Sequence, residues 1–379
     1  MATAKTIVFL VNVDYFFISH RLPLAQEALK KGYQVWVFGQ DTGVMHKIQE
    51  HGIQTRHLPI GRGRGNGLND VLVLMQLAYY YLKLKPHIVH HITVKPVIYG
   101  TLVSGLFNRK AKVVNAVTGL GYAFISEKRA TTIKHITLSL LKIATFFKPR
   151  NTIFIFQNED DKCLYINEGI TNEKETTIIA GAGVDEFYFT KQDKETKEDS
   201  PVVITFLARM LKDKGVREFM QAAIQLKDAL QGKAIFQMIG GLDLDNPAAL
   251  EENEIQPFLI PDYLIWSGHR SDIKEIYNQT DIACLPSYRE GIPKSLIEAM
   301  AMSCAIITTN APGCRSCVNE GENGFLVPVG DVDLLATRIE QLVHDQSLRT
   351  SMGLASREKM LKSMSLSIVI EQTFAIYES

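Results

Sequence analysis

The sequence predicts an α/β protein made of two doubly wound domains that face a central cleft. Three observations carry this. Short β-branched runs alternate with longer amphipathic stretches, the pattern of a parallel sheet covered on both faces. The alternation breaks at a charged segment poor in apolar residues, 191–200, and then restarts. With 379 residues, 46% of them apolar and 22% charged, the chain is long enough to bury two separate cores.

In the first half, residues 7–13, 34–38, 88–91, 113–116 and 152–157 read as strands, and 22–31 and 68–84 as helices with apolar side chains at helical spacing. In the second half, residues 202–208, 234–239, 264–267, 282–286 and 305–308 read as strands. Residues 216–230 read as a helix, and 365–377 as the last one. The expected domains are 1–185 and 186–379. In sheets of this kind ligands bind beyond the carboxyl ends of the strands, so the loops after strands are where function is sought.

Composition excludes several classes. Formal net charge is zero and the aromatics are not interleaved with Arg or Lys, so no nucleic-acid partner is expected. Five cysteines, an odd number in a long chain, do not make a disulfide framework. Cys314-x-x-Cys317 lacks the second pair or nearby histidines of a metal site and reads as small residues in a turn. The apolar run 7–13 is followed by Asp14 and no small-residue cleavage site, and no stretch reaches the ~18 uncharged residues of a spanning helix. The cytoplasm is the expected compartment.

The chemistry concentrates in residues 286–300, which follow a strand, pass through a Gly/Pro turn and open a helix. Pro293 suits the first helical turn, where a missing N–H costs nothing. The free N–H groups of a helix start favour an anion such as a diphosphate. A diphosphate held there would have Glu290 toward one end of the donor and Glu298 toward the other, each able to accept from paired hydroxyls. The bland alternative makes Glu290 a turn residue and Glu298 a solvated helix residue. A second cluster, Arg209 to Gly215, follows the strand 202–208. Arg209 can fork onto phosphate oxygens and Lys214 can add a point charge, neutralising a leaving diphosphate.

These residues resemble the family-4 retaining glycosyltransferases, whose fold is the GT-B pair of Rossmann-like domains. Glu290 and Glu298 match the family's E-x7-E motif, including the Gly291-Ile292-Pro293 that follows the first Glu; Arg209 and Lys214 match its basic pair; Gly240-Gly241 match the glycines after the next strand. The resemblance implies Glu290 at the donor sugar, Glu298 at the ribose, and Arg209 with Lys214 at the diphosphate. It implies retention at the anomeric carbon by front-side attack, with no metal and no cofactor, the nucleotide-diphosphate sugar being a substrate. It also implies a donor-binding C-terminal domain, an acceptor-binding N-terminal domain, and a last helix crossing back onto the N-terminal domain.

In the N-terminal half the match is looser. After the first strand the chain has residues 12–21 in place of a Gly-rich turn; His20 and Arg21 either contact ligand or cap and pack the helix that follows. His90 and His91 end a strand near the point where family members carry a cleft histidine. Strand alternation sends the two to opposite faces, so one packs in the core; His91 is taken as the catalytic candidate. Lys95 beside Pro96 is a phosphate or acceptor candidate. The loop 115–122 has the wrong spacing for a dinucleotide fingerprint, and the resemblance makes Thr118 and Gly119 acceptor-side residues, against the alternative of a plain turn.

Residues 128–150 hold Lys128, Arg129, Lys134, Lys142, Lys148 and Arg150 among apolar residues. This reads either as a helix lying in a membrane interface or as an ordinary packed helix. The membrane reading is preferred because the resembling enzymes act on polyprenyl-diphosphate acceptors. Two acidic clusters have simpler explanations than metal binding. Asp243-Leu244-Asp245 precedes Asn246-Pro247 and reads as a turn, and Asn158 caps a helix whose first turn holds Glu159, Asp160 and Asp161.

The expected activity is transfer of a hexose-type sugar, N-acetylgalactosamine from UDP as the first candidate, to a polyprenyl-diphosphate-linked saccharide in O-antigen, lipopolysaccharide or related glycan assembly. The enzyme would be peripheral to the inner membrane. A sugar-nucleotide epimerase of the same fold, or a non-catalytic nucleotide-sugar binding module, are the alternatives.

Overall fold

A computed structural model of the chain describes residues 4–61, 67–119, 128–192, 200–244 and 246–379. Outside them lie Leu120–Tyr122 of the Gly-rich loop, Asp245 of the acidic triplet and 193–199 of the charged segment, and the side chains of Lys128 and Arg129 are likewise not described.

The β-branched runs at the centre of each sheet form strands because they are buried on both faces. The strands are β1 (Thr6–Val13), β2 (Gln34–Gln40), β3 (Gln54–His57), β4 (Ile88–Ile92), β5 (Lys112–Val117), β6 (Thr152–Phe156) and β7 (Thr176–Ile178). They continue as β8 (Val202–Leu207), β9 (Ala234–Ile239), β10 (Leu264–Trp266), β11 (Ile282–Leu285), β12 (Ala305–Thr309) and β13 (Gly324–Val327). The first seven make one sheet in the order β3-β2-β1-β4-β5-β6-β7, the other six a second sheet in the order β10-β9-β8-β11-β12-β13. Every pairing is parallel. The contacts divide into two compact units, one of Met1–Ala182 with Val369–Ser379, the other Gly183–Ile368.

Strand order reverses beside β1 in the first sheet, where β4 is its other neighbour, and beside β8 in the second, where β11 is. At such a switch point the connections leave in opposite directions and open a crevice at the carboxyl ends of the two strands. Arg209 to Lys214 follow β8 and residues 286–293 follow β11, so the two halves of the sequence-predicted donor set sit on the two lips of one crevice.

The first sheet carries a core on each face. One is built from Val8, Phe38, Val89 and Phe154 under the helices Gly67–Leu84 and Val94–Phe107. The other is built from Phe9, Val37, Ile88 and Val114 under the helix Leu22–Lys30 and the end of the last helix, Leu366–Glu378. That last helix is tied to the strands below it: the Tyr377 hydroxyl lies 2.6 Å from His90 Nδ1, and Lys112 Nζ donates to Ser379 Oγ at 2.7 Å.

Candidate active site

Four loops converge at the carboxyl end of the second sheet, and three glycines let them touch. A Cβ on Gly215 would fall 2.1 Å from the Pro286 carbonyl oxygen, and one on Gly240 1.8 Å from that of Ala208. One on Gly313 would fall 2.4 Å from both the Glu290 and Gly291 carbonyl oxygens. All three have positive φ (+77°, +148° and +76°), a region that other residues enter only with strain. Hydrogen bonds close the same seams: Tyr288 N–H donates to Asp213 O at 2.9 Å, Glu290 N–H to Pro312 O at 3.0 Å, and Met210 N–H to Gly241 O at 3.1 Å.

The charged groups meet on this frame. Lys214 Nζ donates to Glu290 Oε1 at 2.6 Å, both side chains 15% exposed. Ser287 Oγ lies 2.9 Å from the same Oε1 and 3.0 Å from Asp213 O. Its single proton serves one acceptor at a time. Glu290 Oε1 is thereby occupied, while Oε2 has no partner among the described residues. Burial pushes the Lys214 ammonium toward its neutral form. The charge and hydrogen bond of Glu290, with the charge of Asp213, more than offset this, and its pKa rises above the ordinary lysine value. Asp213 is driven up by burial, against the pull of Lys214 and with a push from Glu290. Arg209 is paired with Asp243.

The helix after this loop starts at Lys294 and runs to Ala301, with Pro293 as its N-cap residue, not within its first turn as the sequence suggested; its φ of −74° with ψ of 112° is extended backbone. No side chain caps this helix start. Within its first turn the Leu296 N–H turns back to Pro293 O at 3.0 Å, and a helix start of this kind favours an anion. Ile292 is buried and anchors the turn. Glu298 is not a solvated helix residue: it is 7% exposed, and its partner is Lys294, 3.4 Å away on the preceding turn. Burial raises its pKa, with Lys294 opposing.

The structure thus brings Arg209, Lys214, Gly240, Gly241, Glu290, Gly291, Ile292 and Pro293 together around one crevice, with Glu298 buried on the helix behind. Ser287, three residues before Glu290, and Gly313, whose sign was the Pro312-Gly313 turn after a strand, had no expected role. It explained Asp243 as a turn residue; here its carboxylate pairs with Arg209. Among the described residues no group of three His, Cys, Asp or Glu side chains is arranged for a metal. Cys314 and Cys317 are buried free thiols. Burial pushes both up, Cys314 to about 12.

In the other unit the expectation for His91 is corrected. Alternation does send His90 and His91 to opposite faces of β4, but a parallel sheet has two covered faces, and both histidines are fully buried. His91 lies between Tyr81 Oη (3.1 Å from Nε2) and Asn115 Oδ1 (2.8 Å from Nδ1), so neither ring nitrogen is open to a ligand. Its ring also fills the space where a Cβ on Gly100 would sit, 2.3 Å away. Burial lowers its pKa to about 4, with the Asn115 bond opposing. His90 is lowered further by burial, with Arg21 and His91 adding. Arg21 is buried as well, at the start of the helix Leu22–Lys30.

Of the other candidates, His20 ends the helix Asp14–His20 and stacks on Phe16 with ring centroids 4.2 Å apart. Lys95 pairs with Asp70 at 3.1 Å. Thr118 and Gly119 are half-buried in the loop after β5, Gly119 at φ +100°. Asn158 caps the helix Glu159–Asn167, accepting from the Asp161 N–H at 2.8 Å.

Comparison with known proteins agrees with this architecture. The family model described as glycosyl transferases group 1 matches residues 188–359, and the one described as glycosyl transferase 4-like matches residues 6–158. The capsular polysaccharide biosynthesis glycosyltransferase CapM of Staphylococcus aureus is 27% identical over 321 residues, 82% of this chain and 81% of that protein. The N,N'-diacetylbacillosaminyl-diphospho-undecaprenol alpha-1,3-N-acetylgalactosaminyltransferase of Campylobacter jejuni is 32% identical over 250 residues, 62% of each chain. The crystal structure of a glycosyltransferase from Rickettsia africae superposes with a TM-score of 0.77 at 18% identity, over 99% of this chain and 98% of that one. With a glycosyl transferases group 1 model on one unit, a glycosyl transferase 4-like model on the other, relatives of this kind and two parallel-sheet units, the chain is a glycosyltransferase of the GT-B fold.

Proposed function

We propose that this glycosyltransferase is retaining and metal-independent, and that it moves an N-acetylhexosamine, GalNAc as the first candidate, from a UDP-sugar to a polyprenyl-diphosphate-linked saccharide. The observation that carries the reading is the Lys214–Glu290 pair: a group suited to a departing phosphate and a group suited to sugar hydroxyls, 2.6 Å apart on the two lips of a switch-point crevice. Lys214 and Arg209 neutralise the diphosphate, whose oxygens displace Asp243 from Arg209. The start of the helix Lys294–Ala301 and the Gly241 N–H supply further donors, the Gly240 N–H being held by Gly268 O at 2.8 Å. Glu290 Oε2 accepts from hydroxyls of the transferred sugar, and Glu298 from those of the ribose.

In the reaction, the acceptor hydroxyl oxygen bonds to the anomeric carbon on the face from which the nucleotide leaves. The bond from that carbon to the diphosphate oxygen breaks, its electron pair departs with the diphosphate, and the acceptor's proton passes to the departing oxygen. Attack and departure share a face, so configuration is kept. Lys214, held as a cation by Glu290, stabilises the charge that develops on the leaving oxygen.

The donor sugar and acceptor class follow the name of the Campylobacter relative, which specifies an N-acetylgalactosaminyl group and an undecaprenyl diphosphate. His20, Lys95, Thr118 and Gly119 form the acceptor side. Segment 128–150 meets the cytoplasmic face of the inner membrane. A panel of labelled nucleotide sugars with a lipid-diphosphate acceptor tests the reading. UDP-GalNAc is expected to be turned over with retained configuration, by NMR of the product, and undiminished by EDTA. An inverted product would end the front-side route, and EDTA inhibition reversed by manganese would make Asp243 a metal ligand.

A further inference from the structure

A water-facing helix in a folded protein shows polar residues on its outer side. The helix Gly67–Leu84 does not. Val73, Leu77 and Tyr81 face the core, and the opposite side carries Leu68, Val71, Leu72, Met75, Tyr79 and Leu82, each more than half exposed. The helix Lys128–Phe146 repeats the pattern with Ile136, Leu140, Ile143 and Phe146, the last 84% exposed. Between them runs the helix Val94–Phe107, buried along most of its length and ending in the exposed pair Leu106 and Phe107.

The lower ends of these three helices adjoin. Gly105 packs its Cα against the Phe147 carbonyl, where a Cβ would sit 2.0 Å from the oxygen, and Asn108 Nδ2 donates to Pro86 O at 3.1 Å. Tyr79, Leu82, Phe107, Phe146 and Phe147 therefore belong to one apolar corner, with the two outer stripes running away from it. An exposed area of this kind marks an interaction surface.

Charge points to the occupant. In the segments 67–85, 106–112 and 128–150, Asp70 is the only acidic residue, and it is paired with Lys95. Lys142 and Lys148 are neutralised by Glu168 and Glu175. Lys83, Lys85, Arg109, Lys110 and Arg150 have no ion-pair partner among the described residues, and all five lie at the helix ends around the apolar corner. Aromatic and aliphatic side chains ringed by unpaired cations match a bilayer with anionic headgroups, where the rings enter the headgroup boundary and the cations stay at the phosphates.

We propose that the outer face of the helices Gly67–Leu84 and Lys128–Phe146, with the corner at Leu106–Phe107 and Phe146–Phe147, is a docking surface for an anionic phospholipid bilayer. The first helix, with six apolar side chains more than half exposed, carries this surface well beyond the basic segment 128–150. The choice of a bilayer over a protein partner rests on the lipid-linked acceptor proposed above.

The test is co-sedimentation of the full chain with vesicles of phosphatidylcholine, with and without about one third phosphatidylglycerol. The apolar variant Leu82→Gln/Phe107→Gln/Phe146→Gln replaces exposed side chains, and its melting temperature and UDP binding check the fold. It is expected to lower the partition coefficient about 100-fold at low and high salt alike. The variant Lys83→Gln/Arg109→Gln/Lys110→Gln should weaken binding only to vesicles holding phosphatidylglycerol, and only at low salt. Wild-type partitioning by the apolar variant overturns the proposal. So does a wild-type dimer in light scattering that the apolar variant abolishes while neither protein sediments with vesicles. If the wild type binds and the variant does not, but no lipid-diphosphate acceptor is turned over, the surface stands and the acceptor reading falls.

Discussion

Replacing Gly313 with alanine isolates the geometry of the Glu290 loop from its chemistry. The new Cβ would lie 2.4 Å from the carbonyl oxygens of Glu290 and Gly291, where ordinary contact begins at 3.4 Å, so those peptides must retreat by about 1 Å. Misplacement by that much at a reacting centre costs about 100-fold in rate. The φ of +76° adds strain of about 1 kcal/mol for a residue with a Cβ. Gly321→Ala supplies the control: its φ is +77° but nothing lies within 4 Å of the added atom. Both variants should therefore lose about 1 kcal/mol from αL strain alone, a few degrees of melting temperature by calorimetry. The control should transfer sugar at the wild-type rate, while Gly313→Ala should fall about 100-fold in kcat/KM with a smaller change in UDP affinity, since UDP lacks the sugar that Glu290 is proposed to hold. Equal activity of the two variants would refute the placement of the Glu290 loop at the reacting atoms.

Three further outcomes follow from the same geometry. Glu290→Gln should abolish transfer. Because the carboxylate is what lifts Lys214 above the ordinary lysine value against burial, UDP binding in this variant should weaken as pH rises at a lower pH than in wild type, read by titration calorimetry between pH 7 and 10.5. Glu298 has its pKa raised by burial, so the stability owed to its neutral form is present below the ordinary glutamate value and lost as pH rises through the folded value. Glu298→Gln should accordingly melt higher than wild type at pH 7.5, show no gain at pH 4, and bind UDP more weakly. His91 is depressed to about 4 from 6.5, so between these values the unfolded chain binds a proton that the fold does not, and about 3 kcal/mol of stability is lost as pH falls through the window. Urea titrations of His91→Gln from pH 7 to 4 should show a shallower acid slope than wild type, and an unchanged slope would place the histidine in water.

The central strands were legible because each is covered on both faces and so reads as an apolar run. The three strands that escaped notice, β3, β7 and β13, all lie at sheet edges. In β3, a Gln-Thr-Arg-His sequence, three of the four side chains are exposed, and β7 is three half-buried residues. In these two the apolar signal is absent because full burial is; β13, Gly-Phe-Leu-Val, is mostly buried but only four residues long. The charged groups of the proposed donor site were legible for a different reason: loops after strands are where ligands meet such sheets, and the basic and acidic clusters follow β8 and β11. That these two strands are neighbours depends on strand order, which spacing along the chain does not carry. Hence the Lys214–Glu290 contact, the place of Ser287 beside it and the Arg209–Asp243 pair emerge only from the fold. The histidines failed on the same point, since alternation assigns opposite faces but does not say that both are covered. The apolar outer stripe of the helix Gly67–Leu84 was hidden because helical periodicity does not distinguish which of two apolar sides faces the core.

The donor loops are held to one another mainly by backbone, and this separates two kinds of perturbation. Gly215, Gly240 and Gly313 each put an α-carbon against a carbonyl of a neighbouring loop, and the Tyr288, Glu290 and Met210 amides bond across the same seams. None of these contacts uses the side chains of Arg209, Lys214, Glu290 or Glu298. Isosteric changes at those four should alter charge and hydrogen bonding within an unchanged frame. A methyl group at Gly215 or Gly240 should move the frame with every charge still present. Gly240 is the sharper case, because an added Cβ would sit 1.8 Å from the Ala208 carbonyl, one residue before Arg209. Gly240→Ala should weaken UDP itself, through the phosphates, where Gly313→Ala spares UDP and loses the sugar. Two glycine variants that lowered the affinities for UDP and for UDP-sugar in the same ratio would show that the phosphate and sugar ends of the site are not borne on separate loops.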